Sequence, residues 1–158
     1  MTRIKICGLT RTEDVDAAVS AGADAIGFVF YPGSKRYVTP DAAKALIRRV
    51  PPFVLSVGLF VNEKQEVIEH ILNELPLSLL QFHGDETPVD CEKYHRPYIK
   101  AVRMNAQTNL LEISRQFESA KGLLLDADSA SFGGTGNLFD WSMIPDTLEK
   151  PIILAGGL

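Results

Sequence analysis

The sequence predicts an α/β protein in which parallel β-strands alternate with helices. Seven short apolar runs, rich in Val, Ile, Leu and Phe, recur along the 158 residues. They lie about 25 residues apart, and a helical pattern fills most intervals. Continuous apolar runs are typical of strands that helices cover on both faces. Repeated strand–helix–strand units therefore predict one parallel sheet.

The strands are predicted where these apolar runs occur: Ile4–Cys7, Ala25–Phe30, Phe53–Leu59, Leu77–Phe82, Tyr98–Val102, Gly122–Asp126 and Pro151–Ala155. Two closures of such a sheet compete. A doubly wound open sheet commonly has five or six strands, whereas a (β/α)₈ barrel has eight strands over roughly 200 residues or more. Seven strands fit neither closure completely.

Helices are predicted from capping residues and apolar spacing. Acidic residues open the first helix, and Gly22 follows its end. Thr39 and Thr87 each precede a proline, which is a common arrangement at a helix start. Asn62 is a third candidate cap. The predicted helices are Thr12–Val19, Ala42–Val50, Glu63–Leu72, Val89–Tyr94 and Asn109–Ser119, with a short, weak helix within Phe139–Leu148.

Composition excludes several classes of function. Apolar residues make up 46% of the chain, enough for a buried core, and the net charge of −4 disfavours nucleic acid and anionic membrane surfaces as partners. No apolar run approaches the roughly 20 residues of a membrane span. The start of the chain does not resemble a signal peptide, so we expect a cytoplasmic protein. Cys7 and Cys91 lie far apart in sequence, and no Cys/His cluster predicts a metal site.

Chemically active side chains follow the predicted strands at their carboxyl ends, where parallel α/β folds form their sites. Cys7 ends the first strand, and Arg36 lies in the loop after the second. His83 follows the fourth strand, and Asp126 ends the sixth. The glycine-rich segments Gly133–Gly136 and Gly156-Gly157 follow the last two strands.

Each of these residues alone also has a structural explanation. Cys7 alone is more typical of a small core side chain, and Arg36 alone is equally typical of a solvated loop charge. His83 and Asp126 are suited to capping strand ends, and loop glycines are a weak phosphate signal. Three further candidates, Cys91, His70 and His95, are interpreted as helix residues with packing or surface roles. The occurrence of all these residue types at the carboxyl edge of one predicted sheet favours a functional site.

The segments together resemble the phosphoribosylanthranilate isomerases of tryptophan biosynthesis. The resemblance rests on KICGLT at 5–10, GFVF at 27–30, SKRYV at 34–38, VGLFVN at 57–62, QFHGDE at 81–86, LD at 125–126, GGTG at 133–136 with FDW at 139–141, and LAGGL at 154–158. It implies a (β/α)₈ barrel enzyme that carries out an Amadori rearrangement of a small phosphosugar. It implies no metal and no organic cofactor.

The resemblance also implies roles for individual residues. Asp126 matches the general acid, and Cys7, with Gly8 leaving room beside the thiol for the sugar, matches the base. The acid role requires surroundings that favour a protonated carboxyl, and the base role requires surroundings that favour a thiolate. Arg36 is implied to bind the substrate carboxylate, backbone groups near Gly156 and Gly157 its phosphate, and His83 to line the pocket.

Members of that family continue with a further strand and helices beyond the Gly156-Gly157 turn. We therefore expect residues 1–158 to form a single barrel domain, incomplete after its seventh strand. Unpaired strand edges favour self-association. We expect the chain alone to be weakly active or inactive.

Two alternatives remain open from the sequence. One is a non-catalytic barrel fragment that requires a complementing segment. The other is a different phosphosugar barrel enzyme: an indole-glycerol-phosphate synthase, for which Lys100 is the nearest catalytic lysine, or a metal-dependent epimerase, for which His83 alone qualifies as a ligand.

Overall fold

Seven β-strands alternate with five α-helices along residues 1–127 and 140–156, which are the residues that this computed structural model describes. The strands are β1 (Lys5–Cys7), β2 (Ala25–Val29), β3 (Leu55–Phe60), β4 (Leu79–Phe82), β5 (Tyr98–Met104), β6 (Leu123–Ala127) and β7 (Ile152–Leu154). They follow one another in the sheet in chain order. The predicted α/β class and all seven predicted strands are confirmed, with bounds that differ by one or two residues.

The helices are α1 (Thr12–Ser20), α2 (Pro40–Ile47), α3 (Gln65–Glu74), α4 (Pro88–Glu92) and α5 (Leu110–Gln116), followed by a short 3₁₀ helix at Trp141–Met143. No helix in the described ranges is long and apolar enough to cross a membrane. The final predicted helix is reduced to the 3₁₀ turn within the described residues.

Two predicted caps are confirmed and one is wrong. The Thr39 hydroxyl accepts a hydrogen bond from the Ala42 amide, and Thr87 forms a reciprocal capping box with Asp90. Asn62 is not the cap of α3, because that helix begins three residues later, after Lys64. Asn62 instead has a left-handed backbone with φ of 48°. His95 likewise follows α4 in a turn rather than lying on the helix.

The chain divides into two compact units, Met1–Gln81 and Phe82–Leu158. In the first unit β1 and β3 both pair with β2 in parallel, in a register that aligns Cys7 with Gly27. Its core is apolar and fully buried, and it includes Val15, Ile26, Phe28, Val57, Phe60 and Ile68. This packing holds the carboxyl ends of β1 and β2 side by side.

In the second unit β5 and β7 both pair with β6 in parallel, and Arg103 is aligned with Asp126. Alternate residues of these strands point to opposite faces. Val102, Leu123 and Leu125 belong to a buried cluster with Leu110 of α5, which marks the helix-covered face. Asp126 and Arg103 therefore project from the other face. The prediction of one domain over residues 1–158 stays a prediction.

Candidate active site

Cys7 is the last residue of β1, and its thiol lies against the backbone of β2. Gly27 is its register partner. A Cβ atom at position 27 would lie only 2.6 Å from the Cys7 sulfur, so a glycine there leaves the space that the thiol occupies. Cys7 is a free thiol of intermediate exposure. The predicted strand-end thiol is therefore accessible to solvent.

Arg36 extends over the turn that follows β1. Its Nη1 donates a 2.9 Å hydrogen bond to the carbonyl oxygen of Cys7. A Cβ atom on Gly8 would lie 2.6 Å from the Arg36 Cδ, and Gly8 has a φ of 82°, in the left-handed region. The space that Gly8 was predicted to leave for the sugar is thus occupied by the Arg36 side chain.

The loop after β2 holds Arg36 at this position. The Ser34 hydroxyl accepts a 3.1 Å hydrogen bond from the Arg36 amide. Two residues later the Val38 amide returns to the carbonyl of Val29 at 3.0 Å. We call Cys7, Gly8, Gly27 and Arg36 the thiol cluster. It combines a solvent-accessible thiol with an exposed guanidinium.

Asp126 and His83 form the corresponding group in the second unit. Both are only 8% exposed, and His83 Nε2 lies 3.3 Å from Asp126 Oδ2. His83 directly follows β4, and Asp126 is the penultimate residue of β6. Both side chains therefore occupy the strand ends that the sequence predicted, and the structure brings them into contact.

Gly156, two residues after β7, packs against the same carboxyl. A Cβ atom at this position would lie 2.6 Å from Asp126 Oδ1 and 3.1 Å from the Ala127 amide nitrogen, and φ is 74°. The sequence predicted Gly156 as a phosphate-binding residue, and its contact with Asp126 was not foreseen. We call His83, Asp126 and Gly156 the carboxyl cluster. Gly157 and the Gly133–Gly136 segment lie outside the described residues.

A buried ion pair behind the carboxyl cluster was missed from the sequence. Lys100 Nζ donates to Glu86 Oε2 at 2.8 Å, and both side chains are 7% exposed. Lys100 had been considered only as the catalytic lysine of an alternative enzyme. A lysine within an apolar strand run was the available signal, since a buried charge requires a partner.

The remaining candidate residues, Cys91, His70 and His95, belong to neither of the two clusters. Cys91 is fully buried, and this burial raises the pKa of its thiol to about 12. The predicted packing role of Cys91 is thereby confirmed. His70 and His95 are exposed. Within residues 1–127 and 140–156, no group of three or more His, Cys, Asp or Glu side chains is arranged to hold a metal ion.

The two clusters supply the groups that general acid–base chemistry requires. Cys7, His83 and Asp126 lie at the carboxyl ends of parallel strands, where α/β enzymes carry their sites. A thiol accepts or donates a proton, a buried carboxyl does the same, and an exposed guanidinium binds a carboxylate or phosphate. The fold and these groups are of the kind found in α/β enzymes that use acid–base chemistry.

Comparison with known proteins specifies the family. The sequence pattern of the family described as N-(5'phosphoribosyl)anthranilate (PRA) isomerase matches residues 4–158. The N-(5'-phosphoribosyl)anthranilate isomerase of Dechloromonas aromatica is 56% identical over 157 residues, which are 99% of this chain and 76% of that protein. The isomerase of Pseudomonas putida strain W619 is 57% identical with the same coverage.

Solved structures agree with this match. The phosphoribosyl anthranilate isomerase of Thermotoga maritima superposes with a TM-score of 0.89 at 40% identity and covers all of this chain and 78% of its own. A second isomerase structure, in complex with reduced 1-(o-carboxyphenylamino)-1-deoxyribulose 5-phosphate, has a TM-score of 0.85 at 38% identity, covering 100% of this chain and 77% of that one. The chain belongs to the N-(5'-phosphoribosyl)anthranilate isomerase family of enzymes.

Proposed function

We propose that this isomerase converts the aminoaldose N-(5-phosphoribosyl)anthranilate into the aminoketose 1-(2-carboxyphenylamino)-1-deoxyribulose 5-phosphate, a step of tryptophan biosynthesis, with Asp126 as acid and Cys7 as base. The observation that carries the residue assignment is that an accessible thiol and a buried carboxyl each lie at the carboxyl end of a parallel strand, and each lies against a glycine. The relative that holds a reduced form of the product supports the substrate class.

The first step opens the furanose ring. The protonated carboxyl of Asp126 gives its proton to the ring oxygen while the bond from C1 to that oxygen breaks, and the nitrogen lone pair completes a C1=N Schiff base. The contact of His83 with one carboxyl oxygen fixes the orientation of the group.

The second step moves the hydrogen from C2. The thiolate of Cys7 removes this proton, the electrons of the C–H bond form the C1=C2 bond of an enolamine, and the π electrons of the C1=N bond return to nitrogen. Ketonisation then returns the C2 hydroxyl proton to the Asp126 carboxylate and places the proton of the Cys7 thiol on C1, so both groups are restored and no atom is gained or lost overall. A general base of this kind contributes typically 10²–10⁴-fold to a rate.

The two anionic ends of the substrate are bound by different groups. The Arg36 guanidinium pairs with the anthranilate carboxylate, for which its fork of donors is suited. Arg36 is exposed, and its Nη1 lies beside Cys7, to whose carbonyl oxygen it donates a hydrogen bond. The phosphate is placed at backbone amides near Gly156 and Gly157, as the resemblance to the family implies.

We also propose that the seven strands belong to a (β/α)₈ barrel and that the chain behaves as a single domain. Parallel pairing in chain order supports this architecture. Coincident unfolding transitions followed by circular dichroism and by Trp141 fluorescence would support one domain. Two separated transitions would contradict it.

The acid and base assignments are tested with Cys7→Ala and Asp126→Asn. Each variant should lower the turnover of N-(5-phosphoribosyl)anthranilate by about 10²-fold or more, because each removes one proton-transfer group. Cys91→Ala is the matched thiol control and should retain turnover. The assignments are wrong if both site variants turn over at the unmodified rate.

A further inference from the structure

The loop between β4 and α4, residues 83–87, is tied to β5 by a buried ion pair. Lys100 of β5 and Glu86 of the loop are in contact at 2.8 Å, with 7% of each side chain exposed. Burying two charges is unfavourable unless further hydrogen bonds satisfy them. The remaining contacts of this pair therefore indicate what it holds.

Both members of the ion pair form hydrogen bonds with the backbone of one residue, Gly84. The Gly84 amide donates to Glu86 Oε2 at 2.9 Å, and Lys100 Nζ donates to the Gly84 carbonyl oxygen at 2.6 Å. Both polar backbone groups of Gly84 are thus fixed by the two partners of the ion pair. Gly84 directly follows His83, whose Nε2 lies 3.3 Å from Asp126 Oδ2.

Lys100 performs this role from the opposite face of the sheet to Asp126. Lys100 is aligned with Leu123 and its Nζ lies 5.7 Å from the centre of the Phe117 ring, on the helix-covered face. Asp126 is three residues beyond Leu123 on β6 and projects from the other face. Lys100 is therefore suited to act through the loop rather than by contact with substrate.

We propose that Lys100 and Glu86 form a positioning pair, which fixes the 83–87 loop so that His83 orients the carboxyl of Asp126 for proton transfer. The inference rests on the proposed role of Asp126 as the acid. Small displacements of a positioned group reduce rates strongly, by up to about 10²-fold for 1 Å. Loss of the pair should therefore lower turnover without removing any substrate contact.

The principal variant is the double substitution Lys100→Met with Glu86→Leu, because two apolar side chains of similar volume preserve the packing where one unpaired charge would not. We expect kcat to fall by about 10-fold to 10²-fold with KM changed by less than about 3-fold. Lys100→Met with Glu86→Gln, which retains an acceptor for the Gly84 amide and leaves no buried charge, should recover part of the loss.

Asp85→Asn is the matched control. Asp85 and Arg103 form a second ion pair between the same loop and the same strand, at 3.3 Å, but 76% of the Asp85 side chain is exposed. Such exposed pairs contribute little, so Asp85→Asn should change kcat by less than about 2-fold. A loss equal to that of the buried-pair variant would contradict the special role of Lys100 and Glu86.

Two readouts separate positioning from stability alone. In a His83→Gln background the double substitution should cost less than about 3-fold, because the residue through which it acts is gone. In the otherwise unaltered chain, the imidazole ¹⁵N signals of His83 should shift in the direction that Asp126→Asn produces. Fully additive losses, unchanged imidazole signals, or a lower melting temperature with normal kcat would overturn the inference.

The outcomes also distinguish this inference from the proposed function. If Asp126→Asn retains full turnover, the assignment of the acid fails. If Asp126→Asn is impaired while the Lys100→Met, Glu86→Leu variant has normal kcat and normal His83 signals, the positioning inference fails alone.

Discussion

In each unit a reactive side chain at a strand end lies directly against a glycine. The side chain is a thiol in the first unit and a carboxyl in the second, and the surroundings of the two groups differ in exposure and charge. Cys7 is accessible and has the exposed Arg36 guanidinium hydrogen-bonded to its own carbonyl. Asp126 is 8% exposed and in contact with the equally buried His83. In both units a glycine leaves the space that the reactive group occupies. The neighbouring groups differ: an exposed guanidinium lies beside Cys7, and a buried imidazole contacts Asp126.

This difference matches what each group has to do in the proposed reaction. The base has to reach a C–H group of the bound substrate, for which an accessible thiol at a strand end is suited. The acid has to be held in a fixed orientation toward the ring oxygen, for which a buried carboxyl in contact with His83 is suited. The support differs as well: exposed hydrogen bonds from Arg36 to Cys7 and to Ser34 hold the thiol cluster, while a buried ion pair and a helix cap hold the loop that carries His83.

The largest effect of breaking this arrangement is expected for Gly156→Ala. The added methyl group would lie 2.6 Å from Asp126 Oδ1, in a buried site where the carboxyl has little room to move. The left-handed φ of 74° adds backbone strain. Turnover should fall by about 10²-fold, measured as kcat, because the acid is displaced.

Gly22→Ala is the control for the backbone strain in that experiment. Gly22 has a similar φ of 87°, but a methyl group there would meet no atom within 4 Å. This variant should lose about 1–2 kcal/mol of stability and retain kcat. Equal kcat losses in both variants would show that strain, rather than the contact with Asp126, explains the effect of Gly156→Ala.

A smaller loss is expected for Gly27→Ala in the thiol cluster. The methyl group would lie 2.6 Å from the Cys7 sulfur, but this thiol is partly exposed and is able to turn aside. Turnover should fall by about 10-fold, and the rate of Cys7 alkylation by iodoacetamide should change with it. Unchanged alkylation and turnover would show that the contact with Gly27 does not position the thiol.

Much of this molecule was predictable from local patterns. The apolar runs located all seven strands, and the Thr-Pro pairs at 39–40 and 87–88 located two helix starts. Strand ends also identified Cys7, His83 and Asp126, since parallel strands carry their functional groups there. Short-range periodicity and turn chemistry contain this information.

The contacts that depend on register were not predictable in the same way. Lys100 and Glu86 are separated by 14 residues, and only the folded strand and loop bring them together. The contact of Gly156 with Asp126 likewise depends on the pairing of β6 with β7. The cap predicted at Asn62 is wrong because Asn62 adopts a left-handed backbone in the turn before α3, which begins only at Gln65.

Arg36→Lys is expected to affect binding more than chemistry. Lysine keeps the positive charge but lacks the planar fork that pairs with a carboxylate through two hydrogen bonds. KM should rise by about 10-fold while kcat changes by less than about 3-fold, measured by steady-state kinetics. Lys35→Gln, an exposed neighbouring cation, should leave both parameters unchanged. A fall in kcat at unchanged KM would place Arg36 in the chemical step instead.

The smallest effect is expected at the capping box that ends the 83–87 loop. Thr87→Ala removes the acceptor of the Asp90 amide and should lower the melting temperature by about 2–4 °C.

The stabilisation that Asp90 gives to the folded chain depends on pH. Hydrogen bonds from Lys93 and Thr87 hold the pKa of Asp90 well below its usual range, so this stabilisation is full above about pH 4 and is lost on acidification. The difference in melting temperature between the unmodified chain and Asp90→Asn should therefore shrink below pH 4. A difference that grows on acidification would contradict this sign.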